Sequence, residues 1–409
     1  MASKPIIPIW LARLVTLLGF GTALYFGLWG TYINGAQNGL FAAIGKTIGR
    51  NSKELYIPGG PAPYTWTYTG VERIDRQLRI LVSFFGGFLH GETDVAGRVV
   101  SRYLTMQFCA GWFLLSLEGL RGGSRGIMRW TGVMGLIFQN VAYTNTVPIW
   151  LALHLFLSRT AKAKTLTPST IAADPVAAKI LPLCVFLGFG IPTIAMGLPS
   201  PDVLSAPAHY AWVAIWQLFP VLQSLVLMIL RPLFSSRYST TDSRKALESV
   251  YMAILGLAVM SHMTVLIMAL VPASAIPNSL AGSLPSGLLE RFKEVDLYKA
   301  FVPIWPGNPP TIDPASVKVI PTDWMAPLAT HFLQWDVYCG NLAVLLWAGF
   351  LYYAASYSSS TSSGVSGIVV VKSLGWLVFG GPVAAATYLL WERDDGVYQR
   401  ELAGGKKVR

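Results

Sequence analysis

Two acidic residues stand inside long apolar runs, and their chemistry is the strongest functional signal in the chain. Glu118 closes the apolar run 103–120, and Asp336 is the only formal charge between residues 324 and 371. An ionised carboxylate in hydrocarbon costs roughly 2.5 to 3.5 kcal/mol on insertion scales, so such a residue usually faces a partner or a cavity. A carboxyl group held in an apolar site can also act as a general acid. The sequence therefore predicts acid chemistry inside a membrane.

Each of these acids also has a structural interpretation. Arg121 follows Glu118 by three residues, so an ion pair that fixes the end of a span is the alternative to a proton donor. For Asp336 the alternative is a hydrogen bond between helices. Asp336 lies roughly opposite a broad polar face of its helix, formed by His331, Gln334, Trp335, Tyr338 and Asn341. Two polar faces on one helix predict full burial in a bundle.

A second pair of acids, Glu92 and Asp94, opens the helix that ends near Glu118. Acids in a first helical turn complement the helix dipole, which is the structural interpretation of this pair. The segment 90–94 also follows a short apolar run and could line the mouth of a cavity. Glu92 and Asp94 are therefore further candidates for the catalytic acid.

Motifs for metal-bound diphosphates are missing from the sequence. Asp394 and Asp395 are adjacent, but Tyr398 stands where a DDxxD motif has its last acid. Magnesium prefers clustered carboxylate and phosphate oxygens, so ionisation of a prenyl diphosphate is not expected. The five histidines show no HExxH or other tight ligand spacing. We expect neither a bound metal nor a cofactor.

The elements that must position these acids are transmembrane helices. The chain has 409 residues, of which 53% are hydrophobic and 12% charged, and its mean hydropathy is +0.50. These values predict an all-α, polytopic transmembrane helical bundle, with one integral-membrane domain over residues 1–409. We expect seven to nine spans, with clear candidates at 9–30, 103–120, 180–198, 206–230, 250–271, 325–355 and 368–390. The run 128–157 should bend or divide, because its middle is polar and Pro148 follows.

Residues 272–326 form a long Pro-rich segment, predicted to be an extramembrane loop, and residues 391–409 are predicted to be a C-terminal tail. The tail carries Lys406 and Lys407, which resemble the dilysine retrieval signal of endoplasmic-reticulum membrane proteins. That signal works only in the cytosol. Counting spans from the basic connection at Arg231 places the C terminus on the opposite side. Either one run is re-entrant, or the lysines belong to a solvated tail.

The net charge of +11 comes mainly from short connections between apolar runs. The positive-inside rule makes these connections cytoplasmic. A nucleic-acid partner is not expected, because the basic residues are spread along membrane edges instead of being gathered on one domain. The partners expected from composition are the lipid bilayer and a small molecule that dissolves in it.

Aromatic residues are abundant, with 14 tryptophans and 17 tyrosines, and several lie in the middle of apolar runs. Trp112 and Trp335 are two of these. Aromatic faces stabilise a desolvated cation by up to about 2 kcal/mol, so such side chains could shelter a carbocation. Ordinary packing is the alternative for each one.

Part of the chain resembles a known family. The resemblance begins at His90 and continues through Glu92, Asp94, Arg102, Tyr103 and Gln107 to the Leu-Glu-Gly-Leu-Arg segment 117–121. This stretch is similar to fungal integral-membrane terpene cyclases of meroterpenoid and indole diterpene pathways, such as those that lead to macrophorin, ascochlorin and paxilline-type compounds. The similarity covers residues 86–157, including the Tyr-Thr-Asn-Thr-Val-Pro segment 143–148.

The resemblance implies a membrane enzyme that cyclises a prenylated aromatic or polyprenyl substrate without metal, and the dilysine-like tail predicts that this membrane is the endoplasmic reticulum. In such enzymes a carboxylic acid protonates an epoxide or a terminal olefin. The resemblance does not single out the acid, so the candidates are Glu118, Asp94, Glu92 and Asp336, in that order. The residues expected to contact the substrate are Gln107, Trp112, Asn140, Tyr143, Trp335 and Tyr338.

Two other functions are open to the same residues. A transporter or exporter of a lipophilic metabolite would use the buried acids as proton relays. A membrane acyl- or prenyltransferase would use His154 or His262 in a cavity. A cyclase makes a distinguishing structural prediction, because at least two of the four acids should then converge on one aromatic-lined cavity.

Overall fold

A computed structural model describes residues 7–48, 65, 67–89, 95–162, 166–238, 242–277, 279, 282, 286–312, 322–357 and 366–405. Within these ranges the chain is all-helical and has no β-strand, so the all-α part of the predicted fold class is confirmed. The helices, apart from single short turns, are α1 (Ile9–Gln37), α2 (Leu40–Ile48), α3 (Glu72–Leu89), α4 (Val95–Gly119), α5 (Thr131–Val141), α6 (Tyr143–Leu157), α7 (Pro175–Met196), α8 (Ala206–Trp216), α9 (Phe219–Leu233), α10 (Ser243–Leu270), α11 (Ser286–Glu294), α12 (Leu297–Phe301), α13 (Thr322–Tyr357) and α14 (Gly367–Gly405).

Five helices of the described chain are long and apolar enough to cross a membrane, namely α1, α7, α10, α13 and α14. Helices α8 and α9 meet at 74° and would make a sixth span if the bent pair counts as one. The expected number of seven to nine spans therefore stays a prediction. The run 103–120 lies in α4, which is not one of the five.

Helix α4 occupies the centre of the bundle and contacts α10, α13 and α14. Apolar side chains cover almost its whole circumference, and Trp112, Leu115 and Leu117 have no exposed surface. A helix that is apolar on every side is buried by its neighbours. Glu118 is 1% exposed at the last turn of α4, so its position is fixed by surrounding protein and not by solvent.

The run 128–157 divides at Ala142, as its polar middle predicts. Ala142 has φ 71°, which ends α5 and starts α6 in a new direction. The first N–H groups of a helix have no partner within it. Asp336 on α13 provides one, because its Oδ1 accepts the backbone N–H of Thr144 at 2.8 Å. Tyr143 passes so close to α13 that a Cβ at Gly340 would lie 2.1 Å from its ring.

Helix α14 folds back on itself at Gly381, which has φ 77° and precedes a proline. The rings of Trp376 and Tyr388 lie 6.3 Å apart. Twelve residues of straight helix would separate them by about 18 Å along the axis. After the reversal, Arg400 donates to the carbonyl oxygen of Ala355 at 2.8 Å, at the end of α13. This reversal is compatible with the first of the two alternatives that the sequence left open, and a re-entrant run stays a prediction.

The segment 272–326 contains helices α11 and α12, and α12 packs against α13. The hydroxyl of Tyr338 donates to the carbonyl oxygen of Ala300 at 2.5 Å, and the amide of Gln334 donates to that of Lys299 at 3.1 Å. Residues 391–405 of the expected tail continue α14. Lys406 and Lys407 lie outside the described residues.

Helix α3 begins at a turn held by Asp75. Its carboxylate accepts the backbone N–H groups of Tyr68, Thr69 and Gly70 at 2.7 to 3.2 Å. Burial opposes ionisation of this carboxyl, but the hydrogen bonds outweigh it and lower its pKa. The turn fixes where α3 starts, and α3 forms one wall of the cavity described next.

Candidate active site

A cavity of about 400 Å³ lies between α1, α2, α3, α5 and α13. Its walls are mostly aromatic and aliphatic, and Asp336 is the one charged residue among the described residues that line it. Such a cavity suits an apolar ligand whose orientation is fixed by a few polar groups. The apolar walls are formed by Phe41, Ile44, Ile48, Ile80, Leu81, Phe84, Phe85, Phe138, Phe332 and Leu333, and the polar groups are Tyr32, Gln77, Gln139, Asn140 and Asp336.

A smaller pocket of about 40 Å³ continues the cavity towards the centre of the bundle. We call the two spaces the main cavity and the end pocket. Both are lined by Phe85, Phe138, Gln139, Leu333 and Asp336, so these residues mark the junction between them. The end pocket is closed by Thr105, Phe108, Tyr143, Trp216 and Val337.

Asp336 reaches this junction from α13 and is half-buried. One of its oxygens, Oδ1, is held by the N–H of Thr144 at the N terminus of α6. Among the described residues it has no salt-bridge partner. An unpaired charge among apolar side chains is costly, so these surroundings favour the neutral acid, while the helix terminus offsets part of that cost. A neutral carboxylic acid at this junction is the form that can give a proton to a ligand.

Aromatic rings surround the end pocket and contact one another. The ring centroids of Phe85 and Trp216 lie 4.8 Å apart, and those of Phe108 lie 5.0 Å from Tyr143 and 5.5 Å from Phe138. The faces of such rings attract a cation that has lost its water. A positive charge formed beside Asp336 would therefore be stabilised without any anionic partner.

Glu118 has very different surroundings. Its Oε2 accepts from the Nε of Arg121 at 2.6 Å, and Arg393 approaches the same oxygen at 3.7 Å. Its Oε1 accepts from the hydroxyl of Thr160 at 2.5 Å and lies 3.1 Å from Nε2 of His154. The predicted pair with Arg121 is thus confirmed. Both oxygens are occupied, and Glu118 lines neither the main cavity nor the end pocket.

A second acid completes the cluster around Glu118. Asp394 of α14 lies 2.8 Å from Arg121, accepts from the Nε of Arg393 at 2.8 Å, and accepts from the hydroxyl of Tyr251 at 2.6 Å. We call Glu118, Arg121, His154, Tyr251, Arg393 and Asp394 the charge cluster. Its two carboxylates and two guanidinium groups balance, and the four side chains are at most 4% exposed.

The proton position on His154 follows from its neighbours. The indole N–H of Trp347 can only donate, and it lies 2.9 Å from Nδ1 of His154. Nδ1 must therefore accept, so the proton of the neutral ring is on Nε2 and points to Glu118 or to Thr160. Glu118 accepts hydrogen bonds on both oxygens, which is the arrangement of a fixed carboxylate and not of a free acid.

Glu118 and Asp336, the two candidate acids within the described residues, do not share a cavity. They lie at opposite ends of α6, because Asp336 binds its first turn at Thr144 and Glu118 contacts its last turn at His154. Ten residues of helix separate these contacts by about 15 Å. Glu92 and Asp94 lie outside the described residues, so the expected convergence of two acids is not seen for the pair that can be compared.

Of the side chains predicted to contact a substrate, Asn140 and Tyr143 line the site with Asp336. The other four lie elsewhere, and each is held by hydrogen bonds. Gln107 donates to the carbonyl oxygen of Ala258 at 3.0 Å, Trp112 donates to Gln223 at 2.5 Å, Trp335 donates to the carbonyl oxygen of Ile304 at 3.0 Å, and Tyr338 donates to that of Ala300.

Several wall residues were not among the predicted substrate contacts, notably Tyr32, Phe84, Phe85, Gln139 and Trp216. Phe84 and Phe85 lie in the apolar run 80–89, which is too short to stand out as a span. Gln139 lies in the polar middle of the run 128–157, and a polar group at the point where a span divides was the available signal. In the described part of the chain, no group of three or more His, Cys, Asp and Glu side chains is arranged to hold a metal ion.

The chain is similar in sequence to proteins of one family. The family model described as the CtvD domain matches residues 14–398. The relatives include terpene cyclase ascI of Acremonium egyptiacum, 30% identical over 360 residues, which are 87% of this chain and 86% of the relative. Terpene cyclase ctvD of Aspergillus terreus is 25% identical over 90% of this chain and 95% of its own length. Terpene cyclase janA of Penicillium janthinellum is 24% identical over 89% and 90%. No solved structure matches the chain.

Proposed function

The chain belongs to the CtvD-domain family and is a terpene cyclase, and from that premise we propose that it is a membrane enzyme that cyclises a prenylated substrate by protonation from Asp336. The observation that carries the proposal is the position of Asp336, a carboxyl group without an ion pair at the junction of an apolar cavity and an aromatic end pocket. Glu118, the first candidate from the sequence, is replaced because its oxygens are already occupied.

The reaction begins when the carboxyl group of Asp336 gives its proton to the reacting end of the prenyl chain. With an epoxide, the oxygen takes the proton and its carbon–oxygen bond breaks, which leaves the positive charge on carbon. With an alkene, one carbon takes the proton and the positive charge forms on the adjacent carbon. The electron pair of the next double bond then forms the new carbon–carbon bond. The last cation loses a proton to a water molecule or to the side-chain oxygen of Asn140. Asp336 recovers its proton from solvent, so substrate and product have the same composition.

The walls of the site support this sequence of steps. Phe85, Phe108, Phe138 and Trp216 present rings to the end pocket, where the first positive charge would form. Apolar walls also exclude water, which would otherwise capture the cation before the ring closes. The main cavity, at about 400 Å³, lies within the range of pockets that enclose small molecules.

We propose that the substrate enters from the bilayer between α2 and α3. Ile44, Gly45 and Ile48 of α2 and Gln77 and Ile80 of α3 line the cavity on that side. A prenylated aromatic compound dissolves in the bilayer by its chain, which can enter such an apolar opening first. The polar head group would remain near Gln77 while the chain end reaches Asp336.

We further propose an orientation in the endoplasmic-reticulum membrane. The fold-back of α14 returns its end to the side of the basic connections, where Arg244 pairs with Asp395 and Arg121 with Asp394. The positive-inside rule makes that side cytosolic. The proposal therefore places the end of α14 on the cytosolic side of the membrane.

The two alternative functions gain less support. His154 and His262, the residues that a transferase would use, line neither the main cavity nor the end pocket. His154 is held in the charge cluster, and Nδ1 of His262 is 2.9 Å from the hydroxyl of Tyr103. The relatives described above do not support the transporter alternative, because all of them are named terpene cyclases.

The test uses yeast microsomes that contain the chain, supplied with farnesylated phenols with and without a terminal epoxide. The expected product is an isomer of equal mass and different retention, detected by mass spectrometry. Asp336→Asn should abolish it, whereas Glu118→Gln should retain it when rates are divided by the amount of folded protein. If Asp336→Asn keeps full activity and Glu118→Gln loses it, Glu118 is the acid and the proposed site is wrong.

A further inference from the structure

A further cavity, of about 460 Å³, lies between the start of α10 and the returning arm of α14. It shares no described lining residue with the main cavity or the end pocket. Six charged and three aromatic side chains line it, and its volume is within the range of pockets that enclose small molecules. We call this space the polar cavity, which extends from Asp242 to Tyr251 on α10 and from Trp391 to Tyr398 on α14.

The polar cavity lies where both helices change from charged to apolar. Helix α10 carries three charged residues in its first two turns, the last of them Glu248, and residues 249–270 include no Asp, Glu, Lys or Arg. Residues 373–391 of α14 also lack these residue types, and the charged run begins at Glu392. Trp391 stands at this boundary, and tryptophan is enriched at the level of lipid head groups. In a membrane enzyme the cavity therefore lies at the head-group level.

Part of the charged lining is already used within the protein. Arg244 pairs with Asp395, and Asp242 caps α10 by accepting the backbone N–H of Arg244 at 2.8 Å. Lys245 and Glu248 are exposed and form no salt bridge with the rest of the described chain. The wall therefore offers a ligand one cation and one carboxylate, which suits a molecule that carries both charges.

The aromatic lining provides faces for a cation. The rings of Tyr251 and Trp391 are stacked, with centroids 5.8 Å and planes 14° apart. The hydroxyl of Tyr251 donates to Asp394 at 2.6 Å, which connects this ring pair to the charge cluster. Tyr398 follows Trp391 by two helical turns, and both side chains are partly exposed. Aromatic faces are the usual recognition surface for a quaternary ammonium group.

We propose that the polar cavity binds the phosphocholine head group of a membrane phospholipid. The phosphate lies on the side of Arg244 and Lys245, and the trimethylammonium group lies among the rings on the side of Glu248. An anionic head group fits less well, because four carboxylates and only two cationic side chains line the cavity. The ammonium of an ethanolamine head group is compact and strongly hydrated, so transfer to an aromatic wall costs it more hydration. The inference rests on the membrane location and does not depend on which acid is catalytic.

The test measures which lipid remains bound to the purified full-length protein. The protein is incubated in detergent with an equimolar mixture of phosphatidylcholine, phosphatidylethanolamine and phosphatidylglycerol that carry the same acyl chains, and bound lipid is identified by native mass spectrometry. The native protein should retain phosphatidylcholine about tenfold over phosphatidylglycerol and about threefold over phosphatidylethanolamine.

Two variants of the wall separate its two charges. Glu248→Gln should lower the preference for phosphatidylcholine over phosphatidylglycerol to less than about threefold, because the amide cannot attract the ammonium group. Lys245→Gln should lower retention of all three lipids, because each has a phosphate. The matched control is Glu401→Gln, which changes an exposed glutamate of the same arm of α14 outside the cavity and should keep the native ratios.

Three results would overturn the inference. The native protein could retain the three lipids equally, or Glu248→Gln could keep the native ratios, as the control should. In the third, an excess of glycerophosphocholine, which has the head group but no acyl chains, displaces the bound phosphatidylcholine completely. The cavity would then be a site for a soluble phosphocholine compound. Isomer formation in the microsome assay is measured separately, so failure of this inference leaves the proposed function standing.

Discussion

The two ends of α6 contact two carboxyl groups in opposite surroundings. At the C-terminal end, Glu118 lies among two guanidinium groups, an imidazole and a hydroxyl. At the N-terminal end, Asp336 lies among aromatic rings, accepts the backbone N–H of Thr144 and has no salt bridge to a described residue. A carboxylate with every oxygen paired stabilises the fold, whereas one that lacks a cation in an apolar cavity is available for acid catalysis. Glu118 is fully buried and Asp336 half-buried, but the partners of each carboxyl group are what separate the two roles.

The largest effect expected from this comparison concerns Asp336. Asp336→Asn should lower turnover by about 10² to 10⁴-fold, the usual contribution of a general acid. The amide oxygen of asparagine can still accept the N–H of Thr144, so the melting temperature should change little. Product formation per folded enzyme and thermal unfolding in detergent measure the two quantities. If Asp336→Asn keeps its activity, Asp336 is not the catalytic acid and the proposed difference between the two carboxyl groups is wrong.

The charge cluster should respond in the opposite way. Glu118→Gln leaves Arg121 and Arg393 with one acid between them, and breaking a buried ion pair costs about 3 to 5 kcal/mol. The yield of folded protein and the melting temperature should fall, while turnover per folded enzyme stays within about twofold. The double variant with Arg121→Gln should lose less stability than the sum of the single variants, because the two side chains interact.

The cavity mouth offers a prediction of intermediate size. A Cβ at Gly45 of α2 would meet no atom within 4 Å, so a large side chain there has room to extend across the opening. Gly45→Trp should lower kcat/KM by about tenfold, equal to about 1.4 kcal/mol, with little change in stability. Gly256→Trp is the matched control, since Gly256 is an exposed glycine of α10 with equally open space. Equal losses in both variants would place the entrance elsewhere.

The smallest effect is expected at the outer edge of the charge cluster. Trp347→Phe removes the N–H that donates to His154 and keeps most of the ring. Loss of one such hydrogen bond should cost about 0.5 to 1.5 kcal/mol of stability, with no change in turnover. Denaturant unfolding and the cyclisation assay check the two parts. A change in turnover would show that the two ends of α6 are coupled.

The sequence was sufficient to locate both carboxylates and to predict one partner. Arg121 is three residues from Glu118, so helical spacing alone predicts their contact. Asp394 and His154 are distant from Glu118 in sequence. Only the packing of α6 brings His154 to the carboxylate of Glu118, and only the packing of α14 brings Asp394 to Arg121. The order of the candidate acids could not be corrected without those contacts, since a paired and an unpaired carboxylate look alike in a sequence.

For the fold, too, features set by residues close together in the chain could be predicted, and features set by distant contacts could not. Apolar periodicity predicts the all-α class, and a polar middle predicts the break at Ala142, because both depend on residues close together in the chain. The reversal of α14 depends on Gly381 and on contacts such as that between Trp376 and Tyr388. Length and hydropathy contain no information on these contacts, so by those two criteria the helix counts as one span. The cavity walls come from five helices, and no local pattern indicates which side chains will meet there.

The fold-back of α14 has a consequence for how the protein is made. Arg393 and Asp394 lie on the returning arm and are synthesised long after Glu118 and Arg121. Chains fold progressively from the N terminus during synthesis at about 5 to 20 residues per second. Until the last helix arrives, Glu118 and Arg121 lack two of their charged neighbours. A chain truncated before α14 therefore keeps one acid and one guanidinium group at a site that the full-length protein completes with a second of each.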